Sequence, residues 1–299
     1  MNIVEKFSAA RVLHPIDDLD QRAANKGYSK EERNLRCQLA AAYRLVDLYG
    51  WSEGIYNHIT VRLPGHDDRF LMNPFGLLFH EITASSLITV DPEGRIIDPG
   101  STRFGPNPRG FTLHSAVHQA RKDAQCVLHS HIPEVIAISC TPNGFVPLCQ
   151  EGLAIGPVSV LDFSGILTEL SERETIVSTL GKNNALLLRN HGFVVCGVNV
   201  PDAMLKAYFF LYNVRAQLNL ASFEKLILPS DEAAKRTYEA LSKGEKTENQ
   251  KSSSVVNGNT ENDIQWGAGG LDWEANMRLL DSMGLKTGHQ YRLNVWRDA

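Results

Sequence analysis

Three short apolar runs constrain this chain more than any other feature. They are Gln125–His131 (QCVLHSH), Ala185–Arg189 (ALLLR) and Gly192–Cys196 (GFVVC). Each reads as a buried strand, the last as the continuation or partner of the second. Amphipathic stretches surround them. In Lys30–Tyr49, Leu35, Leu39, Ala42, Leu45, Val46 and Tyr49 recur at the spacing of one helix face, and Gly50 ends the run. Helices are also predicted over Gly110–Arg121, over Ile132–Cys140 with Pro133 in the first turn, and over Pro201–Leu220. Ser171–Leu180 reads as a helix with Ser171 and Glu174 as its capping box. His58–Leu63 alternates polar and apolar residues as a strand does, and Phe70–Asn73 is a second short strand. Leu87–Val90 and Arg95–Ile97 form a hairpin about Asp91–Gly94, and Pro147–Leu161 reads as irregular, with room for short strands. Strands and helices in this succession predict an α/β fold.

A length of 299 residues suggests about two domains. The distribution of apolar residues points instead to one core. Residues 1–30 read as a polar N-terminal arm and 31–230 as the domain. Residues 242–265 are poor in apolar side chains and are expected to be a disordered linker, because nothing there offsets the conformational entropy of ordering. Residues 266–299 regain Trp266, Leu271, Trp273, Met277 and Trp296 and are expected to dock on the core through a helix near Asp272–Met283. Lys plus Arg is 30 and Asp plus Glu is 34, a net charge of −4 that gathers no phosphate backbone, so nucleic acid is not the expected partner. No apolar run approaches the ~18 residues of a membrane span. The N-terminal sequence does not read as a secretory signal. Five scattered cysteines without a CxxC pair suit reduced thiols, and a cytoplasmic setting is expected.

The chemistry concentrates on histidine. His129 and His131 stand two apart at a strand end, so both imidazoles leave the same face. His191 follows the second apolar run in Leu188-Arg189-Asn190-His191-Gly192, where Gly192 would let the backbone turn tightly. If the strands lie near one another, three imidazoles can meet one Zn2+ or another divalent metal. The spacing is equally compatible with strand-end histidines bonded to backbone.

These residues carry a family resemblance. Cys126-Val-Leu-His129-Ser-His131, Leu188-Arg-Asn-His191-Gly192, Asn73-Pro-Phe-Gly76 and Gly110-Phe-Thr-Leu-His-Ser115 stand in the order and spacing of the class II aldolase/adducin family. The likeness runs over roughly residues 31–228. It implies a three-layer α/β/α sandwich, assembly as a homo-oligomer such as a tetramer with sites at subunit boundaries, and zinc held by His129, His131 and His191. In the family's sugar-phosphate aldolases a Glu after a Ser-Ser pair moves the proton, nineteen residues before the first metal histidine. Here 129 − 19 = 110 is Gly110, and the two serines become Pro108 and Arg109. The sequence therefore resembles the adducin-like branch more closely.

Glu151 stands near the place where the aldolases carry a proton-donating Tyr. It is the candidate acid or base, a loop Glu or ion-paired Glu being the plainer reading. Asn57, Gly76 and Arg109 are the candidate substrate contacts, Arg109 as an anion partner in place of the lost serines. Glu81, in the loop after Gly76, is a weaker candidate for a pocket or a subunit contact. His114 and His118 share a helix face and are expected to pack or to support the metal site. Two functions follow from the resemblance. One is a metal-dependent lyase-type enzyme acting on a small hydroxy-carbonyl compound by aldol cleavage, decarboxylation or epimerisation. The other is a non-catalytic, adducin-like cytoskeletal scaffold. Adducins bind actin and spectrin through a Lys-rich tail, and the chain shows no such tail, which weighs against actin capping.

Overall fold

The computed structural model describes residues 14–22, 26–165, 170–220, 226–241 and 266–292. The expected linker at 242–265, residues 293–299 with Trp296, and the first thirteen residues lie outside the described ones. Eight strands form one sheet: β1 (His58–Arg62), β2 (Phe70–Met72), β3 (Ile88–Val90), β4 (Ile96–Asp98), β5 (Cys126–Ser130), β6 (Val158–Leu161), β7 (Ala185–Leu188) and β8 (Gly192–Gly197). Their order is β4-β3-β2-β1-β5-β8-β7-β6. All neighbours run antiparallel except β6 and β7, which are parallel.

Alternation along the central strands decides what each face meets. Ile59, Val61, Cys126, Leu128, Phe193 and Val195 point to one side. There they pack with α2 (Lys30–Leu48), α4 (Pro133–Ser139), α7 (Val200–Asn219) and α9 (Gly270–Ser282). Val127, Leu186, Leu188, Val194 and Cys196 point to the other side, against Leu113 and Val117 of α3 (Pro108–Ala120) and Ile176 and Leu180 of α6 (Leu170–Leu180). Helices on both faces of the sheet make the three-layer α/β/α sandwich that the resemblance implied.

Ser29 starts α2 by accepting the Glu32 N–H (3.2 Å), and Asn199 starts α7 by accepting the Asp202 N–H (2.9 Å). Helix α6 begins at Leu170, so Ser171 is a helical residue and not the expected cap. Residues 147–161 are more ordered than their composition suggested: they hold the short helix α5 (Gln150–Ala154) and strand β6. Helix α8 (Asp231–Leu241) has no counterpart in the sequence reading. It packs against α5, and Tyr238 lies so close to Gly156 that a Cβ there would sit 2.5 Å from its ring. The part of the expected arm that is described, with the short helix α1 (Leu19–Arg22), packs into the core. Ile16 is fully buried and donates to the Leu285 carbonyl (2.7 Å), while Asp18 accepts from the Ser85 N–H (2.9 Å) and hydroxyl (2.7 Å). Trp266, Trp273, Met277 and Leu280 of the C-terminal segment are buried as well.

Candidate metal centre

Strand β5 carries His129 on the α3 side of the sheet, and His131 follows just past its end. The β7–β8 hairpin brings His191 to the same place. Its turn is made by Asn190, whose φ of 56° is left-handed, a conformation that Asn tolerates. Gly192 is needed for a different reason than the turn expected of it. A Cβ there would lie 2.3 Å from the Ser130 carbonyl oxygen, so only glycine lets β8 run this close to β5. One nitrogen from each of His129, His131 and His191 lies within 4.8 Å of the others, the only such group of three metal-ligating side chains among the described residues.

The partners of the rings decide which nitrogens face inward. His129 Nδ1 lies 2.9 Å from the Phe193 carbonyl, and His131 Nδ1 lies 2.7 Å from a Glu53 carboxylate oxygen. Both partners can only accept, so in its neutral form each ring carries its proton on Nδ1. The two Nε2 atoms then confront each other at 2.9 Å, lone pair to lone pair. A divalent cation held by His129, His131 and His191 would turn that repulsion into ligation. Zn–N bonds of about 2.0–2.1 Å at tetrahedral angles need ligand nitrogens only slightly farther apart than this pair. Burial, reinforced by the neighbouring histidines, holds His129 well below the ordinary histidine pKa and lowers His191 to about 4. Both rings are therefore neutral near pH 7, as ligands must be.

The segment before β1 supports the cluster. The Ser130 hydroxyl donates to the Trp51 carbonyl (2.9 Å), which anchors the stretch that carries Glu53. Asn57, at a left-handed φ of 73°, accepts the His131 N–H with its side-chain oxygen (2.9 Å). Its Nδ2 is buried with no hydrogen-bond partner among the described residues.

A cavity of about 410 Å³ opens over the three histidines and is also lined by Asn57, His58 and Gly110. Gly76 and Glu151 do not line it. Gly76 sits at φ 126° against the Phe104 ring, and Glu151 lies in the first turn of α5. The backbone of Arg109 opens α3, and its side chain lies outside the described residues. Glu81 accepts the Leu78 N–H (2.8 Å) beside a single turn of 3-10 helix.

Behind the cavity the polar layer continues. Thr60 Oγ1 lies 2.8 Å from His114 Nδ1 and 2.7 Å from His118 Nε2, and the Ala124 carbonyl lies 3.0 Å from His118 Nδ1. Burial, with Arg62 nearby, lowers His118 to about 3. His58, paired with His129 across the strands and edge-on to His114, is different. Both its ring nitrogens are buried without a hydrogen-bond partner among the described residues, and burial lowers it to about 4. An unpartnered buried polar group costs about 1–3 kcal/mol.

Two residues of this site escaped the sequence reading. Glu53 is 78 residues from His131, and no spacing rule links them. His58 did leave a signal. The alternation of HITVR puts His58, Thr60 and Arg62 on one face, but all five residues are buried, so that face meets α3 and not water.

The fold agrees with what comparison to known proteins finds. A family model described as "Class II Aldolase and Adducin N-terminal domain" matches residues 37–218. Alpha-adducin of Mus musculus is 40% identical over 298 residues, which cover 96% of this chain and 38% of that protein; the chain thus spans well under half the length of this relative. The crystal structure of an aldolase II superfamily protein from Pseudomonas syringae superposes with a TM-score of 0.75 at 36% identity, over 88% of this chain and 98% of that one. L-fuculose 1-phosphate aldolase from Glaciozyma antarctica PI12 superposes with a TM-score of 0.69 at 25% identity, over 85% of this chain and 94% of that one.

Proposed function

The chain belongs to the class II aldolase and adducin family. On that premise we propose that it is a metal-dependent lyase-type enzyme acting on a small hydroxy-carbonyl compound by aldol cleavage, decarboxylation or epimerisation. One observation carries this reading: the Nε2 atoms of His129 and His131 face each other at 2.9 Å with a third imidazole beside them. His129, His131 and His191 would hold Zn2+ or another divalent ion. When bound, the ion supplies a positive charge that polarises a carbonyl and stabilises the oxyanion beside it.

The chain's own residues do the rest. The Phe193 carbonyl and Glu53 orient two ligands and strengthen them as bases. Asn57 holds the His131 backbone, its amide is the proposed ligand contact, and Arg109 is the proposed anion contact. Gly76, outside the cavity of its own chain, is proposed as a substrate contact in the loop that meets Phe104. Glu151, outside the cavity of its own chain, is proposed as acid or base across a subunit boundary of a homo-oligomer. The five free cysteines support a reducing, cytoplasmic setting. Among the described residues, no helix is long and apolar enough to cross a membrane.

Elemental analysis of the purified chain tests the reading, with His129→Ala as control. About one zinc per chain, lost in the variant, is expected. A native protein without divalent metal would end the enzyme reading. The likeness to alpha-adducin favours a second reading, a head-domain scaffold that meets cytoskeletal proteins. Turnover of any small aldol or keto-acid substrate decides for the enzyme. Co-sedimentation with actin or spectrin, with no turnover, decides for the scaffold.

A further inference from the structure

Residue 110 is a glycine without a conformational reason: its φ is not left-handed, and it lies within helix α3. The reason is space. A Cβ built there would lie 2.2 Å from Cε1 of His58, 2.5 Å from its Nδ1 and 2.8 Å from its Nε2. The imidazole of His58 therefore fills the volume into which any side chain at 110 would project.

We propose that His58 is a ligand-contact residue of this cavity, its ring standing in for a residue-110 side chain and offering its nitrogens to an oxygen of the bound hydroxy-carbonyl or hydroxy-acid compound. The proposal rests on the reading of the three histidines as a metal-assisted site.

Geometry carries it. His58 is 4% exposed and lines the same cavity as the three histidines. Its strand register pairs it directly with His129 across β1 and β5. Its nearest aromatic neighbour, His114, stands edge-on at 5.8 Å between centroids. The Nδ1 of His114 is already bonded to Thr60, and its Nε2 is likewise unpartnered. Thr60, two residues along β1, bonds to both α3 histidines, so the strand has the means to satisfy imidazoles and does not apply them to His58. A neutral imidazole offers one N–H and one lone pair, which matches a hydroxyl beside a carbonyl or carboxylate. The Asn57 amide, unpartnered in the same cavity, adds a second donor.

Glycolate, a two-carbon hydroxy acid, is a suitable probe. The full chain, with 15N-labelled histidine, is titrated with glycolate in metal-free and zinc-loaded form. Zinc content and thermal midpoint are measured alongside. The His58 ring-nitrogen signals are expected to move on titration. His58→Phe keeps the ring volume without the nitrogens. It is expected to retain zinc and its thermal midpoint while binding glycolate about tenfold more weakly, the loss of one good hydrogen bond. His58→Gln, which restores a donor and an acceptor, is expected to recover part of the affinity.

Ring signals that do not move, or a His58→Phe variant that binds within about twofold of wild type, would overturn the assignment. Should that variant not fold, the wild-type titration decides alone. A wild-type chain that takes up no zinc overturns the metal reading, and the metal-free titration then judges His58 separately.

Discussion

Strands β1 and β5 pair side by side, and each shows the molecule two chemistries. On the face toward α2 and α7 they present Ile59, Val61, Cys126 and Leu128, and β8 continues with Phe193 and Val195, all packed against apolar helix faces. On the face toward α3 the same two strands present His58, Thr60, Arg62 and His129, and α3 answers with His114 and His118. Both faces are buried. The apolar face is non-directional: its stabilisation follows the area removed from water. The histidine face is directional, because each buried nitrogen needs a partner at a set distance and angle. Where both nitrogens find protein partners, as at His118, the histidine is structural. Where nitrogens face each other or nothing, as at His129, His131 and His58, the fold has left room for something else.

The largest effect of a single substitution is expected on the apolar face. Phe210 stacks on Phe193 at 4.7 Å between centroids, so Phe210→Ala should lose about 3–5 kcal/mol in urea unfolding. Zinc bound per folded chain should stay the same; a folded variant with less zinc would show that the faces are coupled. Thr60→Val strands two buried imidazoles and should destabilise by about 1–3 kcal/mol with zinc content retained. No change in the urea midpoint would mean that water replaces the hydroxyl. Glu53→Gln should weaken zinc about tenfold in competition with a chromogenic chelator, the low end for an outer partner because Glu53 is half-exposed. The thermal midpoint of the metal-free chain should not change.

The smallest effect per unit is pH. His118 titrates at about 3 when folded and near 6.5 when unfolded, so the unfolded chain binds the extra proton between those values. Stability should therefore fall as pH drops from about 6.5 toward 3, by up to ~1.4 kcal/mol per pH unit for this group. His58 acts with the same sign down to about 4. Stability that stays flat over this window in a chain that remains folded would show these histidines to be hydrated and not sealed beneath α3.

Legibility followed the range of the interaction. His129 and His131 could be paired from their spacing, and His191 joined them on condition that two strands lie close, which the resemblance implied. The short helix α5 and helix α8 could not be read in the same way: α5 is only five residues long, and α8 has no buried residue to mark a face. The described part of the expected arm looked polar, yet Ile16 and Asp18 are locked to residues more than 60 positions away. Glu53 was invisible for the same reason.

By itself the sequence determined the alternation of the central strands, the apolar face of α2 and which imidazoles share a side, because these depend on residues two to four apart. Only the tertiary structure decided that the polar side of β1 meets α3 rather than water. Only it placed Glu53 behind His131 and set the ring of His58 in the space left by Gly110. Those outcomes depend on strand register and on which helix covers which face, and no local spacing encodes either.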